Sequence, residues 1–247
     1  MKLLILLFII SNVYCGITNN FTVLPNNDIY IAHTENSVIY KIVNSTNVEV
    51  VVGQEGFHNN TLDTPSITNG INLLLYKPTS IIHSLNNDIF FVNNNKYIKH
   101  FKTDNLRHST RTINFNSTST FNSITNITID ALYNLYIANY SNNSGISRIY
   151  KFEKQTVADY KYKLNKVIIN EKIKAINYVD NNINVITNKN YYEYSLNLEE
   201  NNTEKVTNKI ESTNNTNKLE DIQDFVIDEN FEIGYLAFQD RLKWFYF

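Results

Sequence analysis

The stretch Ile127-Thr128-Ile129-Asp130-Ala131-Leu132-Tyr133-Asn134-Leu135-Tyr136-Ile137-Ala138 holds a short apolar strand, a polar turn and a second, almost wholly apolar strand. The first segment reads as a short apolar strand. The unbroken apolar run Leu135-Tyr136-Ile137-Ala138 predicts a strand buried on both faces. Between them Asp130 and Asn134 carry the turn, since Asx side chains bond to nearby backbone and Asn tolerates positive φ.

The same shape recurs along the chain. Upstream it reads Phe21 to Ala32 and Ser80 to Val92; downstream it reads Ala175 to Ile186 and Phe225 to Ala237. The turn positions Asp28, Asp88, Asn134, Asn182 and Glu232 follow one another at intervals of 46 to 60 residues. Each unit continues with a third strand: Val38 to Val43, Lys96 to Lys102, Ser147 to Glu153, Tyr191 to Leu196 and Arg241 to Phe247. Fourth strands are expected at Val48 to Val52 and Arg111 to Phe115, with weaker ones near Val157 to Tyr162 and Lys205 to Ile210. A four-stranded meander repeating every 45 to 50 residues or so is the signature of propeller blades. No long 3.6-residue period competes with it.

Composition fits a packed β domain. The chain has 247 residues with 17 tyrosines and 14 phenylalanines, too many aromatics for a solvated chain. A net charge of −2 provides no basic footprint for nucleic acid. Glycine numbers 6 and proline 3, whereas asparagine numbers 42, so asparagine must take over most of the turn work. Met1-Lys2 followed by the apolar run Leu3 to Ile10 and then Val13 and Cys15 has the three-part form of a secretory signal peptide, residues 1–15. The run is too short to span a membrane. Cleavage there would remove Cys15, the only cysteine, and the β domain, residues 17–247, would fold without disulfides or thiol chemistry. Asn20, Asn44, Asn59, Asn116, Asn142, Asn201 and Asn214 open Asn-x-Ser/Thr sequons and are candidate glycosylation sites. Asn126 and Asn139 open two more, within or beside strands, where access is expected to be poor.

The repeat resembles the NHL-repeat β-propeller family. Val50-Val51-Val52-Gly53-Gln54-Glu55-Gly56, then Asp63-Thr64-Pro65-Ser66, then Tyr76-Lys77-Pro78-Thr79-Ser80-Ile81 is similar to the family's junction between blades. Asp130 to Asn139 resembles its strand-turn-strand. Where the family has a turn glycine this chain has Asn27, Asn87 and Tyr133. Where the family closes the second strand with Asp it has His33, Asn93, Asn139 and Thr187, which puts that aspartate's hydrogen bonds in question. The resemblance implies an all-β propeller of about five four-stranded antiparallel blades, with an incomplete sixth as the alternative count. A closed five-bladed ring, an open arc and a truncated chain all remain open, with closure favoured because it satisfies the most backbone. The fifth unit stops after its third strand.

Relatives by architecture include Ca²⁺-dependent lactonases and a zinc-dependent lyase. Such chemistry needs several oxygens, or histidines from different blades, to converge on one ion. Asp130, Asp180 and Asp228 recur after the first strands of units three to five and are the metal-site candidates, although turn formation by Asx bonds is the favoured account of them. His33, His58, His83, His100 and His108 all fall in the first half, with no spacing that makes them meet. No nucleophile elbow and no glycine-rich phosphate loop occurs. The polar run Asn197 to Asp221 reads as a long surface loop. The expectation is a secreted, glycosylated, non-catalytic binding module for an extracellular protein or glycan, with no cofactor. The alternative is a metal-dependent hydrolase or lyase using Ca²⁺ or Zn²⁺.

Overall fold

A computed structural model describes residues 20–43, 47–57, 69–104, 108–115, 121, 123–156, 159–179, 181–187, 190–196, 198, 204–205, 222–228, 233–238 and 242–246, from 204 onward by backbone alone. The leader, Asn44, His58, Asn59, Asn116, Asp180, Asn201, Asn214 and most of the run Asn197 to Asp221 lie outside the described residues. Among the described residues no helix is long and apolar enough to cross a membrane.

The described chain is almost entirely strand, arranged in meanders. The first joins β1 (Asn20–Val23), β2 (Ile29–His33), β3 (Val38–Ile42) and β4 (Val48–Gly53) in that order. The second follows a short 3-10 turn, Gly70–Asn72, and joins β5 (Thr79–His83), β6 (Asp88–Asn93), β7 (Tyr97–Lys102) and β8 (Arg111–Thr112). The third is five-stranded: β10 (Ile124–Ile129), β11 (Leu135–Ser141), β12 (Ile146–Lys154) and β13 (Asp159–Ile169) follow in order, and the earlier β9 (Asn114–Phe115) lies at the edge beside β13. The fourth is β14 (Ile173–Val179), β15 (Asn182–Thr187), β16 (Tyr191–Ser195) and β17 (Glu204–Lys205). The fifth is β18 (Ile222–Asp228), β19 (Ile233–Phe238) and β20 (Leu242–Tyr246). All five expected hairpins are present, and the fifth sheet has three described strands.

Two expectations at the fourth strands change. Arg111 to Phe115 is not one strand. Arg111 and Thr112 pair with β7 and Ile113 N still donates to Ile98 O, but Asn114 and Phe115 instead pair in parallel with Asp159 and Tyr160. The weak strand near Val157 to Tyr162 is the long β13, whose Tyr160, Val167 and Ile169 are buried while Lys161 stays exposed. Its lysines lower strand propensity locally, and packing overrides that preference.

The chain divides into two compact units, Met1–Phe121 with Lys154–Tyr160, and Asn122–Glu153 with Lys161–Phe247. The first has a core of Leu24, Tyr30, Ala32, Ile39, Val51, Val52, Leu75, Ile81, Ile89, Phe91 and Phe101. The second unit's core includes Tyr136, Ala138, Ile149, Val167, Ile173, Ile183, Val185 and Tyr194. The second strands are buried on both faces, as their apolar runs require: Tyr30, Ile31, Ala32, then Ile89 to Val92, then Leu135 to Ala138. Each such Ile or Phe contributes about 1.5–3 kcal/mol by leaving water.

The β1–β2, β5–β6 and β10–β11 turns share one geometry. Leu24 N donates to Asp28 O at 2.8 Å and Asn27 N to Leu24 O at 2.8 Å. Ser84, Asn87 and Asp88 repeat the pattern, as do Asp130, Tyr133 and Asn134. The third loop residue is left-handed in each: φ is 66° at Asn27, 60° at Asn87 and 65° at Tyr133. This is the three-residue hairpin loop, a turn closed by one left-handed residue. The positions that lack the usual glycine are the ones that need positive φ.

Candidate functional site

Asp130 is the candidate metal ligand whose side chain is described, and it is buried at the end of β10. Its Oδ1 accepts from Leu132 N at 2.9 Å and Asn134 N at 2.8 Å. Its Oδ2 accepts from Asn134 Nδ2 at 2.8 Å and the Tyr136 hydroxyl at 3.1 Å. The four bonds occupy both oxygens and knot the turn to the following strand. Burial, and then the adjacent Asp130 charge, push the Tyr136 phenol far above its ordinary value, so it remains a donor. The Tyr136 hydroxyl oxygen also lies 3.0 Å from Leu196 O, which accepts from Lys151 Nζ at 3.0 Å. Asp228 ends β18 and Asp180 lies outside the described residues, so Asp130 is the one candidate with defined contacts.

The pair that Tyr136 makes with the third strand belongs to a row that recurs at equivalent register. In the first sheet Tyr30 pairs with Lys41, whose Nζ lies 5.7 Å from the Tyr30 ring centre and donates to Asp28 Oδ2 at 2.7 Å. In the second Phe90 pairs with His100, the rings 4.7 Å apart, and His100 Nε2 lies 3.4 Å from Asp88 Oδ2. In the third Tyr136 pairs with Lys151, Nζ 5.6 Å from the ring. In the fourth the polarity is reversed: Asn184 faces Glu193, and Asn182 Nδ2 donates to Glu193 Oε1 at 2.6 Å. The turn residue reaches the third strand in the first, second and fourth sheets, through Asp28, Asp88 and Asn182; in the third the corresponding Asn134 binds Asp130 instead, and Lys151 donates to Leu196 O. Such links hold a hairpin to its next strand.

The residues standing where the family's closing aspartate would be keep an acceptor in place. Asn93 Oδ1 accepts from Tyr76 N at 2.9 Å, and Asn139 Oδ1 accepts from Ser123 N at 3.2 Å. His33 Nδ1 accepts from Asn36 N at 3.1 Å. Thr187 cannot span the same gap. It donates to Glu171 Oε2 at 2.8 Å, and Glu171 Oε1 also takes Asn190 Nδ2 at 2.6 Å. The sequence reading missed Glu171; the signal for it was the short Thr187 where the second and third sheets have asparagine.

The described histidines do not form one centre. His83 Nδ1 and Thr22 Oγ1 are 2.8 Å apart, joining β5 to β1. His108 packs edge-on against Phe101, and His33 against Tyr40. Burial pushes His83 below its ordinary value. It does the same to His33, against the opposing Glu35 and Glu55 charges, and to His108, where Glu49 opposes and Lys41 reinforces it. Among the described residues no group of three or more His, Cys, Asp or Glu is arranged to hold a metal ion.

Three sequons have described side chains. Asn126 is 7% exposed in β10, its Nδ2 donating to Lys174 O at 2.6 Å. Asn139 is half-buried, its oxygen held by Ser123 N. Asn142 is exposed in the β11–β12 turn. Asn20 opens β1.

No family model matches the chain, and no curated protein matches it by sequence. Solved structures do match. A gluconolactonase from Xanthomonas campestris aligns over 91% of this chain and 70% of its own, with a TM-score of 0.59 and 8% identity. Virginiamycin B lyase from Staphylococcus aureus aligns over 92% and 69%, at 0.51 and 10% identity. PorZ, a surface component of the type-IX secretion system of Porphyromonas gingivalis, aligns over 92% and 32%, at 0.52 and 11% identity. At such identities the likeness concerns the fold, and these neighbours are β-propellers. The chain is therefore an all-β propeller of about five antiparallel blades.

Proposed function

We propose that the chain is an exported, glycosylated, NHL-like propeller that serves as a non-catalytic binding module, with an extracellular protein or glycan as its ligand. The observation that carries this reading is the state of Asp130. A carboxylate that would bind a hard cation must offer lone pairs to it. Both oxygens of Asp130 are instead spent on four donors from its own hairpin. The described histidines, likewise, serve sheet joints and ring packing. A rigid scaffold of meanders with polar turn tips is a common way to present a recognition surface.

The competing reading is a metal-dependent hydrolase or lyase, and the gluconolactonase and lyase among the structural neighbours make it worth testing. The measurement is the metal content of the secreted, exhaustively desalted protein by mass spectrometry, paired with lactone hydrolysis before and after chelation. No retained ion and no chelator-sensitive turnover is the expected outcome. Stoichiometric Ca²⁺ or Zn²⁺ accompanied by chelator-sensitive activity would overturn the binding-module reading.

A further inference from the structure

The described sequons differ at the atom that would be modified. Glycan transfer forms a bond from the asparagine Nδ2 to the anomeric carbon of an oligosaccharide carried on a lipid pyrophosphate. The sugar–phosphate bond breaks, the lipid pyrophosphate leaves, and the amide gives up one proton. A folded site must then leave Nδ2 in water with room for a sugar. At Asn126 that nitrogen is buried and donates across to Lys174 O at 2.6 Å. A sugar there would break the bond and separate β10 from β14. At Asn139 the amide is half-buried, and its oxygen fixes Ser123 N at 3.2 Å, which holds the amide plane.

Asn142 is different on each count. Asn142, Asn143 and Ser144 form the exposed tip of the β11–β12 turn. The turn is closed by its own backbone, Ser144 N and Gly145 N both donating to Ser141 O, at 3.3 and 2.9 Å, with Gly145 at φ 67°. The turn's geometry thus rests on backbone bonds and a glycine, not on the Asn142 amide. The sequon hydroxyl on Ser144 is exposed beside it.

We infer that Asn142 is an N-glycan acceptor and that Asn126 and Asn139 are not. This deepens the binding-module reading and rests on its export. The glycan would cover the β11–β12 end of the third blade. The opposite end carries the β10–β11 tip, where Leu132 is 74% exposed.

The full chain is expressed in a eukaryotic host in two forms, one with its own residues 1–15 and one with a foreign leader in their place. Enzymatic deglycosylation in ¹⁸O-water followed by peptide mass spectrometry marks each former glycan as labelled aspartate. Label at Asn142 with none at Asn126 or Asn139 is expected in the foreign-leader protein. Asn142→Gln should remove one glycan's gel shift and leave the unfolding midpoint unchanged. Label at Asn126 or Asn139, or an unlabelled Asn142 in the exported foreign-leader protein, would overturn the inference. Retention of only the native-leader form in the cell would count against the export reading and leave the Asn142 result from the other form standing.

Discussion

Asn87 shows how this chain builds turns with so little glycine. It sits at φ 60° on the third position of its hairpin loop, and its Oδ1 is buried without a hydrogen bond. A left-handed L-residue costs roughly 1–2 kcal/mol, with asparagine at the low end and β-branched residues at the high end. Asn87→Val should therefore lower stability by about 1–2 kcal/mol. Asn87→Gly should fall within about 0.5 kcal/mol of the parent, because relief of strain offsets the added freedom of the unfolded chain. Urea unfolding of both variants checks this, and equal losses would mean that the turn does not need positive φ. The turn glycines missing from the family pattern were thus readable at Asn27, Asn87 and Tyr133. The partners of Asp130 were not, because four bonds to one carboxylate depend on where the chain folds back. Glu171 was harder still, since it acts from outside the repeat motif, through Thr187, Asn190 and Tyr192.

At the scale of elements, a threonine joins the first strands of the first and second blades, and another joins those of the third and fourth. Thr22, facing Tyr30 in β2, meets His83 on β5; Thr128, facing Tyr136 in β11, accepts from Tyr178 N on β14 at 3.0 Å. The two threonines occupy the same register, as do His83, six residues before Ile89, and Tyr178, five before Ile183. The difference of one residue reflects a shorter turn in the fourth blade. Thr128→Val keeps shape and removes the acceptor, so it should cost about 1–2 kcal/mol. Faster exchange of the Tyr178 amide should accompany it; unchanged exchange there would rule out the joint. Hairpins and strand order were legible because apolar runs and Asn-rich turns alternate so regularly. The split of Arg111 to Phe115 was not, because both halves read as strand, and pairing partner is set by tertiary contact, not by propensity.

At the scale of the molecule, pH acts on the first unit. His33, His83 and His108 all belong to it, and burial lowers the pKa of each. Their folded forms bind protons less readily than the unfolded chain, whose histidines titrate at about 6.5. The stability contribution is therefore complete above that value and is lost progressively as pH falls below it. Hydrogen exchange should show amides of β1 to β7 losing protection between roughly pH 7 and 5. His83→Gln should reduce that loss, and a flat profile across this range would refute the assignment.

The parallel pairing of β9 with the start of β13 has a kinetic consequence. Asn114 Nδ2 donates to Asp159 Oδ1 at 3.2 Å, a contact across 45 positions of chain. Everything between, including three strands of the third sheet, is a loop whose mouth this clasp shuts. Closing so long a loop from a disordered chain is entropically expensive, with a cost that grows as the logarithm of its length. Once the enclosed strands have paired by their local hairpins, the free length shrinks and most of that cost is gone. The order of assembly is thereby set by topology: hairpins first, clasp afterwards. Before it closes, Asn114 and Phe115 are an unsatisfied strand end, and a newly made chain carries a sticky edge for as long as the third meander takes to form.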